Sequence, residues 1–228
     1  MYKVSNVARA RRYDNSRRAQ AAEATRRRVV DAAGECFREA GYAATTLGAI
    51  ASRADVSVET VTKTFGTKRA LLRTWFDACV AGPEAVPVAS ASWLSELEQQ
   101  PGFDERVDLF AAWLTEVFGR VAPAVSVMTA AAHADRVIAE MWAEERRRRF
   151  SDVTVIAPLV LGDQVPSMSS DELVDTMYAL SEVHLYLVLV EERRWSPARY
   201  RDWFATGVKQ LIAGSPCADP LTPTQEKP

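Results

Sequence analysis

The chain has 228 residues, with 28 Lys and Arg against 30 Asp and Glu for a net charge of −2, and 48% of its residues are hydrophobic. With a mean hydropathy of −0.14, this composition suits a globule of one or two domains and excludes a chain disordered throughout; no apolar run reaches the roughly 18 residues of a membrane span. The charge is unevenly placed: residues 1–79 hold 15 basic and 8 acidic side chains, residues 80–228 hold 13 and 22, so an anionic partner is expected for the first stretch alone.

Residues 1–21 read as a basic, disordered arm with Arg9, Arg11, Arg12, Arg17 and Arg18 and no apolar period. From about residue 22 the pattern turns helical, with Val29, Ala33, Phe37 and Ala40 at spacings of four, four and three. Gly41 supplies a left-handed residue to end that helix. Thr45-Thr46 caps a short second helix, Arg53 to Val56 forms a tight connection, Ser57 caps a third, and a fourth starts near Lys68. The span 22–80 is therefore expected to be one small helical domain. Residues 81–91, rich in Ala, Gly, Pro, Val and Ser, read as a flexible link.

Helical periods return over 92–214. They cover 93–99, then 105–122 with a stop at Pro123, then 125–160 with a break near 133–135. Ser169 and Glu172 form a capping box opening a helix to about Glu192, and Ser196-Pro197 starts the last one. Residues 215–228 hold four of the eleven prolines and read as a disordered tail. No alternating strand pattern appears, so the fold class is all-α. The basic N-terminus lacks an apolar core and is not a secretory signal. The three cysteines, Cys36, Cys79 and Cys217, are far apart, which fits neither a disulfide framework nor a zinc site. A cytoplasmic chain with reduced thiols, no metal and no cofactor is expected.

Residues 46–65 have the layout of a helix-turn-helix. With Val61 taken as inward, Phe65 lies about 40° away at about 100° per residue, while Glu59 and Lys63 point nearly opposite, flanked by Thr60 and Thr62. Such a face suits base edges in a major groove. Lys63 could donate to guanine and Glu59 accept from cytosine; alternatively the two, four apart in the favoured order, pair with each other. The sequence leaves both open. It likewise leaves open whether the arginine-rich arm is solvated or follows phosphates. Arg146–Arg149, a second basic run, reads as a solvated helix face.

The stretch TRRRVVDAAGECFREAGYAATTLGAIASRADVSVETVTKTFGTKRALL, Thr25–Leu72, resembles the DNA-binding domain of the tetracycline-repressor (TetR) family of bacterial regulators. The likeness lies in the AA–F–GY block, TT before IA, A–VS in the turn, TV–K–F, and Lys68 with Leu71-Leu72. Downstream, Glu172–Phe204, with its WSP-x-x-Y element, is similar to the C-terminal region of one branch of that family. The resemblance implies a homodimer on a palindromic operator, acting as a repressor released by a small molecule. It implies groove-facing Val58, Glu59, Thr60, Thr62, Lys63 and Thr64, with Thr46 and Lys68 on phosphate. Two positions depart from the family pattern: Asp55 stands where Gly is usual, and Thr62 where Tyr is usual. Asp tolerates a left-handed turn; Thr reaches less far than Tyr toward a phosphate.

Leu173–Val190 is apolar nearly all round, the mark of a helix buried on two faces. The resemblance assigns one face to a partner subunit, with Val174, Leu185, Val188, Phe204, Val208 and Leu211 at the dimer interface. Phe110, Trp113, Met128, His133, Met141, Trp142, Tyr178 and His184 are candidate walls of an effector pocket suited to a largely apolar small molecule, or else plain core and surface residues. No phosphate-cradling Gly loop, HExxH or recognisable nucleophile constellation is present, so an enzyme is not expected. The competing reading is an all-α small-molecule-binding or scaffold protein that has lost specific DNA binding.

Overall fold

The computed structural model describes residues 4–82 and 92–213. Ten α-helices and no strand occur among them. The chain divides into two compact units, one from residues 1–83 and 123–142 and the other from 84–122 and 143–228. The expected link keeps two described residues, Ala81 at the end of a helix and Gly82 capping it. The rest of the link, and the tail at 215–228, lie outside the described residues.

The first unit is built on α1, Val4–Ala44, which bends at Gly41 with φ 72°. The helix thus reaches far back into the stretch that reads from sequence as an irregular arm. Short helices α2 (Leu47–Arg53) and α3 (Val58–Phe65) and the longer α4 (Lys68–Ala81) follow. Each of these three starts with a threonine or serine whose hydroxyl accepts from a first-turn amide: Thr46 from Ala49, Ser57 from Thr60, Thr67 from Ala70, all at 3.1 Å. Asp55 turns the chain between α2 and α3 at φ 54°, the left-handed region expected of it. The core is the expected apolar set, Val29, Ala33, Phe37, Ile50, Val61, Phe65, Leu71 and Leu72. Ala40 is the exception and is exposed.

Gly34 marks the closest approach in this unit. A Cβ there would stand 2.2 Å from Trp75 Nε1 and 2.7 Å from its Cε2, and Trp75 is itself buried against Phe37 at 5.8 Å. Gly34→Ala is expected to cost about 1–3 kcal/mol by displacing that ring. Urea unfolding followed by circular dichroism measures it, and an unchanged midpoint would mean the ring has room to move aside.

Helix α6, Phe103–Ala132, contains Pro123, where a stop is expected from the sequence. Proline removes one bond of the ladder, but Val121, Ala122, Ala124 and Val125 around it are all at least 94% buried, and their packing outweighs the loss. Helix α7, Arg136–Leu161, follows after the expected break and contains Pro158. No single described helix is long and apolar enough to cross a membrane.

The second unit holds α5 (Ser92–Glu98), the first part of α6, the rest of α7, α8 (Ser170–Leu180), α9 (Val183–Tyr186) and α10 (Pro197–Ala213), and α5, α6, α9 and α10 supply a run of rings. Trp93 stacks on Trp113 at 4.1 Å; Phe110 meets Phe204 at 5.8 Å; Tyr200 meets Tyr186 at 5.0 Å, and Tyr186 meets Phe118 at 5.9 Å. The capping box of Ser169 and Glu172 opens α8 as expected. The helix expected to continue to Glu192 instead breaks at Ser181–Glu182, then resumes as α9 and a π-helical turn over Leu187–Glu192. Buried Ser181 donates to Met177 O at 2.6 Å, and Arg149 donates to the carbonyls of Tyr178 and Ser181. The end of α8 is satisfied by side chains rather than by a further turn.

Candidate nucleic-acid interface

The reading face of α3 is formed as the spacing requires. Val61 and Phe65 are buried at 0% and 9% exposure, while Val58, Glu59, Thr62, Lys63 and Thr64 are exposed and Thr60 half-buried. Glu59 and Lys63 form no ion pair with each other or with any other described residue. Of the two readings open in the sequence, the structure therefore presents both charges to solvent. The threonines are partly engaged: Thr62 and Thr64 donate to the carbonyls one turn back at 2.9 and 2.8 Å, and Thr60 shares a 2.9 Å contact with Ser57. Their oxygens keep acceptor capacity toward a ligand. Thr46 is exposed at the start of α2, where unpaired amides and the helix dipole favour an anion.

Lys68 stands at the start of α4. Its ammonium lies within the unit, donating to Tyr42 O at 2.8 Å, Thr45 O at 2.8 Å and Ala43 O at 3.3 Å, and standing 4.3 Å from the Tyr42 ring centre. An ammonium has three donors, and these are directed at the carbonyls that α1 leaves open at its bend. Without DNA, the side chain that the resemblance places on phosphate ties α4 to the end of α1. Burial lowers its pKa from the ordinary lysine value, with Asp135 acting the other way.

Further ties connect the helices of this unit. Arg53 at the end of α2 meets Glu39 through both guanidinium nitrogens and reaches Glu35 at 3.4 Å; the hydrogen bond from Arg53 holds the Glu39 carboxyl below its usual pKa. Arg69 of α4 pairs with Asp135 at 2.7 Å, which lowers the Asp135 pKa, while the same carboxylate caps α7 through Val137 N. Trp142 meets Phe76 edge-on at 6.2 Å. Residues 123–142, assigned from sequence to the C-terminal domain, thus belong to the unit that carries the reading face. Arg26, which the sequence reading passes over, lies over the Phe65 ring at 4.8 Å; its signal is its place in the Arg26–Arg28 run at the start of the packed part of α1.

The other candidates divide between the units. Met128, His133, Met141 and Trp142 fall in the first, Phe110, Trp113, Tyr178 and His184 in the second. Phe110 and Met128 are core at 2% and 1% exposure. His133 and His184 are exposed, facing Thr129 O at 2.8 Å and Glu182 Oε1 at 3.0 Å. Tyr178 borders a groove of about 470 Å³ with Ala143, Arg146, Arg147, Phe150 and Ser151. Arg147 and Arg148 pair on the surface with Glu144 and Glu145 as a solvated face should, but Arg149 stacks on Tyr178 at 3.8 Å and anchors α8. Of the expected interface residues, Val188 and Leu211 are exposed at 42% and 49%, and Val174 and Leu185 are half-buried. Phe204 and Val208, at 2% and 0% exposure, are already buried within their own chain. Among the described residues no group of three His, Cys, Asp or Glu could hold a metal ion.

Comparison with known proteins adds the following. Residues 29–74 match the family described as bacterial regulatory proteins, tetR family. Sequence comparison with curated proteins finds no match. Solved structures resemble the chain over most of its length. A TetR-like transcriptional regulator from Rhodococcus sp. RHA1 superposes with a TM-score of 0.56 at 15% identity, covering 84% of this chain and 97% of that one. A transcriptional regulator (TerR/AcrR family) from Aquifex aeolicus VF5 gives 0.60 at 17%, covering 82% and 99%. NalD, the secondary repressor of the MexAB-OprM multidrug efflux pump in Pseudomonas aeruginosa, gives 0.58 at 15%, covering 83% and 97%. At these identities the likeness establishes the fold.

Proposed function

From the match of residues 29–74 to the tetR family, we infer that the chain is a DNA-binding transcriptional regulator, a homodimeric repressor released from a palindromic operator by a small, largely apolar effector. The observation that carries the reading is the face of α3. Glu59 and Lys63 stand exposed and unpaired opposite buried Val61, on a helix fixed by the Ser57 cap and the Asp55 turn. In a major groove Lys63 donates to guanine, Glu59 accepts from cytosine, and Thr60, Thr62, Thr64 and Val58 make the neighbouring contacts, while the start of α2 at Thr46 meets phosphate. Thr62 ends in a short hydroxyl, so phosphate contact at that position is shorter in reach than a tyrosine would give. A cytoplasmic location follows from this role. Selection and sequencing of duplexes bound by the full chain tests the reading: recovery of an inverted repeat supports it, and random sequence alone overturns specific recognition.

Dimerisation is supported by the second unit. The π-helical turn LVLVEE buries none of its residues within the chain, and Trp203 and Leu211 of α10 remain 38% and 49% exposed. Apolar surface of this kind marks an interface. Val188→Arg and Leu211→Arg are expected to give folded monomers, because both sites are open in the single chain and an arginine there burdens only the paired state. Light scattering at micromolar concentration checks this, and a wild-type monomer would remove the dimer from the proposal.

A further inference from the structure

The electrostatics of the first unit are divided in a way the helix-turn-helix does not explain. Residues 1–28 hold nine Lys and Arg against two Asp and Glu. The rest of the unit, residues 29–83 and 123–142, holds seven against eight. The packed head therefore carries a net charge of −1, and the net positive charge of the unit lies ahead of Val29, the first buried side chain among the described ones. Within the head most cations are already engaged. Arg53, Arg69 and Arg73 pair with Glu39, Asp135 and Asp77, and Lys68 donates to three carbonyls. A surface without net positive charge gives little counterion release and little non-specific affinity for a polyanion.

The basic stretch is continuous with the head. Residues 4–28 are part of α1 and at about 1.5 Å per residue extend roughly 37 Å. Every side chain from Arg17 to Ala24 is exposed, so packing gives that stretch no reason to be helical. Its position gives one. Ala19, Ala22, Glu23 and Arg26 of α1 border a groove of about 460 Å³ whose other wall is Thr60 and Thr64 of the recognition helix. The extension leaves the head at the flank of α3, beside any duplex that α3 enters.

We propose that the α1 extension, residues 4–28, is a separate phosphate-binding element that follows the DNA backbone flanking the sequence read by α3 and supplies most of the unit's electrostatic attraction for duplex DNA. The proposal rests on the DNA-binding function proposed above. It divides the labour within one protomer: α3 carries bases and little charge, the extension carries charge and no bases. The partner is double-stranded nucleic acid, and the recognised chemistry is the spaced phosphodiester.

The test uses the full chain, with Arg9, Arg11, Arg12, Arg17 and Arg18 all changed to Gln, and binding measured on the selected duplex and on a scrambled one from low to high salt. Each phosphate contact contributes about 0.9 to the slope of log affinity against log salt. The slope is expected to fall by about 2–4 on both duplexes alike, with roughly tenfold or greater loss of affinity at physiological salt. Circular dichroism checks helicity; should the Gln variant lose helix, a chain lacking residues 2–20, which keeps every buried side chain of the head, repeats the measurement. An unchanged slope with binding retained overturns the proposal and leaves the function standing. Loss on the selected duplex alone makes the extension a base reader and overturns it too. A wild-type chain that binds neither duplex overturns both readings. Loss of self-association with an unchanged slope would assign the extension to the acidic second half of another copy, again against the proposal.

Discussion

Lys68→Ala should loosen the turn between α1 and α2 before it changes anything at a DNA surface. Three donated bonds disappear, leaving the carbonyls of Tyr42, Ala43 and Thr45 to find water. Hydrogen bonds from charged donors are the stronger class, and with these carbonyls close to the surface the net cost is about 2 kcal/mol. Hydrogen exchange should report it as lost protection around residues 42–51, including the Thr45 amide that bonds Gly41 O at 3.3 Å. Peptides of the second unit should be unaffected. Lys68→Met, which keeps the stem but not the donors, should match alanine if the ammonium is responsible. Normal protection combined with weaker binding to every duplex would return Lys68 to the phosphate role that the family resemblance assigns it.

Lys63→Ala is the complementary case. The side chain is exposed and bonds nothing among the described residues, so stability and exchange should stay at wild-type values. Binding to the selected operator should fall by about 1–3 kcal/mol, with one base position per half-site relaxed, and binding to scrambled duplex should change far less. Measuring the mutant on both duplexes decides it. Equal losses on the two would show that Lys63 meets backbone phosphate, and no loss would remove it from the contact set.

The head was legible because its signals are local. Thr46 and Ser57 are caps readable within a turn of their helices, and the spacing of Val29, Ala33 and Phe37 depends only on helical period. The same holds for the outward direction of Lys63, fixed by its distance from Val61. What local pattern leaves open depends on distant partners. Pro123 stops a helix by local rule but is overridden by burial on both sides. Ser181 ends α8 because Arg149, 32 residues earlier, reaches its carbonyl. Phe204 and Val208 show helical apolar period equally well whether the neighbour is their own chain or another. Lys68 at a helix start has the same local sequence whether it faces a phosphate or the end of α1. The basic arm carries no apolar period, and the structure extends α1 through it even so, a continuity that local pattern alone does not reveal.

The split of the first unit between residues 1–83 and 123–142 sets a limit on chimeras. A contiguous graft ending in the link would carry the whole stretch matched by the family, 29–74, yet leave Phe76 without the Trp142 edge and Arg69 without Asp135. Such a graft would display apolar surface along α4 and lose an ion pair at its start. Exchange of reading heads between relatives therefore succeeds only when the second segment travels too, or when position 76 is made polar for its new surroundings. The boundary that a sequence comparison draws around a recognition motif is narrower than the boundary of what folds with it.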